Sequence, residues 1–118
     1  MYARVTQVQI HPDKIREYKR AADSLRPLMR KQAGFCALII LRTGDASAPE
    51  ATTVALWDSL EDLKASEKNL WLYQAISRIL SYCKGFPAIR EHEVLFTEFA
   101  LDATAAKKKD VETDETQW

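Results

Sequence analysis

Three observations in the sequence predict an α+β domain in which helices cover one side of an antiparallel sheet. Apolar or alternating segments with strand character recur at 2–10, 35–41, 52–57 and 89–99. Between the first and second, and again between the third and fourth, apolar residues recur at three- and four-residue steps, the mark of a helix with one buried stripe. The interval between the second and third is short and rich in small residues, as a hairpin loop is. The order is β-α-β-β-α-β, the split βαβ or ferredoxin-like arrangement. Its right-handed crossovers place both helical regions on the same side of the sheet.

Each element has a local reason. In Tyr2 to Ile10, Val5, Val8 and Ile10 stand among Thr and Gln in imperfect alternation. Pro12 stops this strand and suits a first helical turn, where its missing N–H would have no partner anyway. Ile15, Tyr18, Ala22, Leu25 and Leu28 or Met29 then form the buried stripe. Lys14, Arg16, Glu17, Lys19, Arg20, Asp23, Arg26, Arg30 and Lys31 form the solvated side. Pro27 removes one hydrogen bond and crowds the Asp23 carbonyl, so a kink or break is expected near Arg26. Gly34 ends the helix or makes the turn after it.

"FCALIIL", Phe35 to Leu41, is apolar at every position, "TGDASAPE" at 43–50 is a loop, and Thr52 to Trp57 completes a hairpin. Ser59 and Asp62 have the spacing of a capping box, an acceptor placed for a helix's first N–H groups. Leu60 and Leu63 set one stripe; Leu72, Ile76, Leu80 and Cys83 set another. The interruption at 67–69 divides this region into a short and a longer helix. Gly85 and Pro87 are expected to end it, and "IREHEVLFTEF" at 89–99 to form the last strand. Residues 1–100 are thus one domain. The polar, charged stretch 101–118 reads as a tail, disordered or ordered only by a partner.

Composition narrows the function classes. Seventeen basic residues balance 17 acidic ones, so no electrostatic footprint for nucleic acid exists. No apolar run approaches the roughly 20 residues of a membrane span, and the N-terminal segment lacks a signal-peptide pattern. Cys36 and Cys83 match no metal or redox spacing and fit a reducing cytoplasm. Three glycines cannot build a nucleotide-binding loop, and no metal constellation or nucleophile–base pair is present. The expectation is a cytoplasmic protein with no cofactor, no metal and no membrane or nucleic-acid partner.

The sheet raises a packing problem. An antiparallel sheet with one wet face should alternate apolar and polar residues. Here Phe35, Ala37, Ile39 and Leu41 oppose Cys36, Leu38 and Ile40, and Val54 and Leu56 oppose Ala55 and Trp57, so both faces are apolar. Its own helices cover one. A second copy packed sheet to sheet would cover the other, giving a homodimer that buries on the order of 800 Å² per subunit.

Three stretches, "VQIHPDKIREY", "AGFCALIIL" and above all "WDSLEDLKAS", resemble the antibiotic biosynthesis monooxygenase family of dimeric α/β barrels. The resemblance covers about Tyr2 to Phe99. It implies that Trp57 closes the third strand and plugs one end of a cavity between sheet and helices. It further implies a cofactor-independent monooxygenase that deprotonates a small aromatic or polycyclic substrate and lets the anion reduce oxygen. Such chemistry needs an apolar pocket, a base and a donor to steady the anion. The candidate residues are Gln7 and His92 as catalytic groups, with Trp57, Trp71, Tyr73 and Arg90 against the substrate. Trp71 and Tyr73 flank Leu72 and cannot share one helix face, so at most one reaches a common pocket.

Two other readings stand beside this one. In heme-degrading relatives the resemblance expects a histidine where Glu67 or Lys68 stands, which disfavours heme. The scarcity of acid–base residues favours a non-catalytic module of the same fold, binding a small apolar or aromatic ligand.

Overall fold

The computed structural model describes residues 1–100; the expected tail lies outside the described residues. Strands β1 (Tyr2–Ile10), β2 (Phe35–Thr43), β3 (Glu50–Trp57) and β4 (Cys83–Glu93) form one sheet in the order β2-β3-β1-β4. Every neighbouring pair is antiparallel. Helices α1 (Ile15–Arg30), α2 (Leu60–Ser66) and α3 (Leu70–Leu80) complete the ferredoxin-like order that the sequence predicts. No helix among the described residues is long and apolar enough to cross a membrane.

A short 3₁₀ turn at Pro12–Lys14 leads into α1, which buries Tyr18, Ala21, Ala22, Leu25 and Met29. The break expected near Arg26 does not occur, because the helix runs through Pro27 to Arg30. Pro27 is exposed, so its ring lies on the wet side and water can satisfy the carbonyl it orphans. An Arg26–Asp23 ion pair at 3.0 Å spans the same turn.

Trp57 ends β3 because the next two residues are tied elsewhere. The Asp58 N–H donates to the Gly34 carbonyl at 2.8 Å. Ser59 Oγ then accepts from the Asp62 N–H at 3.1 Å, capping α2. Gly34 adopts φ +77°, and a Cβ there would lie 2.2 Å from the Asp62 carboxylate, so glycine is required at this junction. The division of the second helical region falls where the sequence places it. Asn69 Oδ1 accepts from the Leu72 N–H at 3.0 Å and starts α3 afresh.

The last strand corrects the sequence reading. β4 begins at Cys83 and ends at Glu93, rather than spanning 89–99. Gly85 and Pro87 lie inside the strand instead of terminating a helix. β4 is an edge strand bonded only to β1, where proline's missing donor costs no ladder bond. Its register with β1 shifts between Gln7 and Gln9, where Val8 faces the bulged residues 85–87 of β4, and Gly85, at φ +65°, is part of that bulge.

The pairing registers sort the sheet into two faces. Arg4, Thr6 and Val8 of β1 share the helix face with Thr53, Ala55 and Trp57 of β3 and Leu38 of β2. Here sits the core, with Val8, Ile10, Tyr18, Leu25, Met29, Trp57, Leu63, Leu72 and Ile79 in one cluster. Leu63 alone, fully buried, accounts for roughly 1.5–3 kcal/mol of apolar burial. Val5, Gln7, Thr52, Val54, Ile39, Leu41, Ala88, Arg90 and His92 take the opposite, outer face.

Candidate functional site

Between the sheet and the helices lies a cavity of about 230 Å³. Thr6, Thr53, Ala55 and Leu38 line it from the sheet; Tyr18, Leu25 and Met29 line it from α1, and Leu72, Tyr73, Ile76 and Ile79 from α3. The Trp57 indole, 2% exposed, is part of this wall and meets Phe35 edge to face at 5.7 Å between ring centres. Most of the lining is apolar, as expected of a small-molecule site, and the volume suits a compact ligand.

Two polar groups interrupt it. Tyr18 shares a hydrogen bond with Thr53 across the cavity floor. Burial pushes the Tyr18 phenol above its ordinary pKa, with the Thr53 contact opposing that, so the hydroxyl stays protonated at neutral pH. It can donate or accept but is no base.

The second group is ionic. Arg4 and Glu67 both line the cavity, and Arg4 Nη2 donates to Glu67 Oε1 and, at 3.0 Å, to Glu91 Oε1. Lys64 Nζ reaches the same Glu91 oxygen at 2.9 Å. These hydrogen bonds, Lys64 first and Arg4 second, hold the Glu91 carboxyl below its ordinary pKa. Two cations thus face two anions. Arg4 Nε is buried and has no hydrogen-bond partner among the described residues.

The residues expected to form one site divide between the two faces. Trp57 and Tyr73 line the cavity. Trp71 does not; it is 71% exposed, on the other side of α3 from Leu72. Gln7, Arg90 and His92 stand on the outer face, opposite Ala88, Val5 and Ala3 respectively. Strand parity is the reason. Thr6 and Glu91 point toward the helices, so their chain neighbours Gln7, Arg90 and His92 point away. Gln7 instead borders a more polar hollow of about 370 Å³ with Gln9, Thr52, Lys84 and Ala88. His11 occupies the entrance of the 3₁₀ turn without a side-chain cap bond, so neither histidine lines the cavity.

Sequence reasoning missed Arg4 and Thr53, and it met Glu67 only as the occupant of a position where heme-degrading relatives carry a histidine. A signal for Arg4 was available, since it shares parity with Val8 and Ile10 and is therefore a charge on the core side of β1. Nothing local marks Glu67 as its partner 63 residues away. Among the described residues no group of His, Cys, Asp and Glu could hold a metal ion.

A ferredoxin-like sheet, roofed by helices over an apolar cavity that a tryptophan walls, defines a class of small α+β domains. The model of the antibiotic biosynthesis monooxygenase family matches residues 1–71, and the chain belongs to that family. No curated protein matches it by sequence. Solved structures share its fold. One is a Nitrosomonas europaea protein bearing the family's name, at TM-score 0.71 and 13% identity, covering 81% of this chain and 100% of that one. Another is SnoaB of Streptomyces nogalater, described as a cofactor-independent oxygenase, at TM-score 0.68 and 13% identity, covering 81% and 94%. A conserved protein of Methanosarcina mazei Go1 follows at TM-score 0.68 and 15% identity, covering 78% and 91%. At these identities the likeness establishes the fold and leaves the chemistry to the residues present.

Proposed function

We propose that this protein is a cofactor-independent monooxygenase acting on a small aromatic or polycyclic substrate held in the helix-side cavity. The observation that carries the reading is the cavity itself: apolar, walled by Trp57, and interrupted by one ion pair, in a chain of this family. A methylene flanked by aromatic rings suits such a site. Removal of one C–H proton gives a delocalised anion, and that anion supplies electrons to O₂. The balanced outcome is CH₂ + O₂ → C=O + H₂O. Glu67 is the one carboxylate among the lining residues and the candidate proton acceptor, with Trp57 and Tyr73 against the rings. Gln7, Arg90 and His92 would join this chemistry only from a subunit interface on the outer face.

The reading includes a homodimer through that face. Ile39 and Leu41 keep 41% and 48% of their surface in the single chain, a cost that a second sheet would relieve. Both cysteines are free thiols, which supports a cytoplasmic location.

Oxygen uptake with anthrone- or quinol-type substrates tests the activity. The expected result is consumption of one O₂ per methylene oxidised with the anthrone-type substrates, lost in Trp57→Ala. The alternative, a binding module of the same fold, is favoured by the placement of Gln7 and His92 away from Trp57. Ligand binding without oxygen uptake across the panel would establish that alternative.

A further inference from the structure

Independently of what the cavity binds, we propose that the outward side of α1 is the docking surface for a segment of this same chain, the charged stretch 107–115. That stretch lies outside the described residues.

The surface is a stripe of one sign. Arg16, Arg20, Arg30 and Lys31 are all exposed, and at about 100° per residue they fall within a sector of about 100° around the helix. None of the four is in an ion pair among the described residues. Asp23, an acid in the same sector, is already engaged by Arg26 at 3.0 Å. An exposed helix face ordinarily mixes both signs; this one leaves cations unanswered over about 22 Å of helix.

The segment supplies the missing sign in a matching order. Lys107, Lys108 and Lys109 come first; Asp110, Glu112, Asp114 and Glu115 follow, with no basic residue among them. Glu93, Tyr2, Trp57 and Phe35 occupy one row across the sheet, so β4 hands the chain on at the end where α1 finishes. That row is about 14 Å wide. Residues 94–106 can span up to about 40 Å, so reach is ample. Asp58 and Glu61 stand exposed at this end, with the Asp58 N–H on the Gly34 carbonyl. A chain arriving there meets carboxylates first and the cations of α1 next, as lysines followed by carboxylates require. Residues 110–115, extended, cover about 20 Å, the length of the stripe.

One exposed ion pair contributes little. Several in register, on a tether that holds the segment at an effective concentration on the order of millimolar, keep the contact mostly closed at low salt. Raising salt from about 20 mM to about 0.5 M shortens the screening length from about 20 Å to about 4 Å and should release it.

Trypsin cleavage after Lys107, Lys108 and Lys109 in the full chain tests the docking, each rate taken relative to a free peptide of residues 101–118 at the same salt. At low salt the wild type is expected to be cut about fivefold more slowly than the variant carrying Arg16→Gln, Arg20→Gln and Arg30→Gln. At high salt the two rates should coincide. The salt series on the wild type decides the matter by itself should the variant fold poorly. Equal rates at low salt overturn the docking, as does protection that survives high salt. Protection that fades as the protein is diluted puts the segment on a second copy. Co-sedimentation of the wild type at low salt with vesicles of phosphatidylcholine and phosphatidylserine in equal parts shows the stripe open to other anions. Either result overturns the assignment to the chain's own segment.

Discussion

On the helix side of the sheet Val8, Ile10, Ala55 and Trp57 lie under α1 and α3 and are closed from water, whereas on the outer side Ile39 and Leu41 keep nearly half of theirs. Both faces have comparable apolar content, and they differ in what covers them. The helix face is covered by the chain's own amphipathic helices, yet a row of threonines and one arginine leaves it imperfectly filled and opens a cavity. On the outer face Val5, Val54, Leu56, Ile39 and Leu41 make an apolar strip with Arg90 and His92 at one side, and the polar hollow beside Gln7 and Thr52 lies at its far end. One face is built around a space for a ligand; the other is a surface for another surface.

The largest effect that would sharpen this contrast comes from Trp57→Ala. It removes a 2% exposed indole from the core and should cost about 3–5 kcal/mol in chemical denaturation. A loss below about 1 kcal/mol would mean that the indole does not close the helix side. Ile39→Glu addresses the opposite face. It should leave the single-chain fold intact and convert a dimer to a monomer in light scattering. A wild type that is already monomeric at micromolar concentration would break the comparison, because the outer face would then be stable in water.

The smallest effect is on acid stability. Glu91 has its pKa lowered from the ordinary 4.5 in the folded chain by Lys64 and Arg4. A carboxyl with a depressed folded pKa contributes stability that is fully present above its unfolded value and is lost as pH falls through the folded one. Unfolding midpoints should therefore decline as pH drops below 4.5, and Glu91→Gln should flatten that decline. An unchanged acid limb in Glu91→Gln would show that the charge network at the cavity end is not held together in solution.

Much of the fold was legible from local signals. Pro12, the Ser59 cap, the interruption at 67–69 and the apolar hairpin strands each act within a few residues, and each feature is where the sequence places it. The exceptions involve proline and glycine. Pro27 and Pro87 read as breakers, and each is accommodated: the carbonyl that Pro27 orphans lies on the wet side of α1, and Pro87 lies on an edge strand. The candidate site was less legible. Trp57 was found because a large aromatic at a strand end has few places to go, whereas Trp71 and Tyr73 were named together and only the structure shows that Tyr73 borders the cavity. Gln7, Arg90 and His92 were assigned to the same pocket without knowledge of which parity faces the helices. A one-residue offset sends each to the other side.

By itself the sequence determined the order of elements, their caps and the apolar character of both sheet faces, since all of these follow from backbone preferences and from periodicity along a short segment. Only the tertiary structure decided which strand residues share a face, that Arg4 meets Glu67 across 63 residues, and that a cavity opens between threonines and helices. Those facts depend on register and on packing between distant segments, where a shift of one residue reverses every side chain while leaving the composition unchanged.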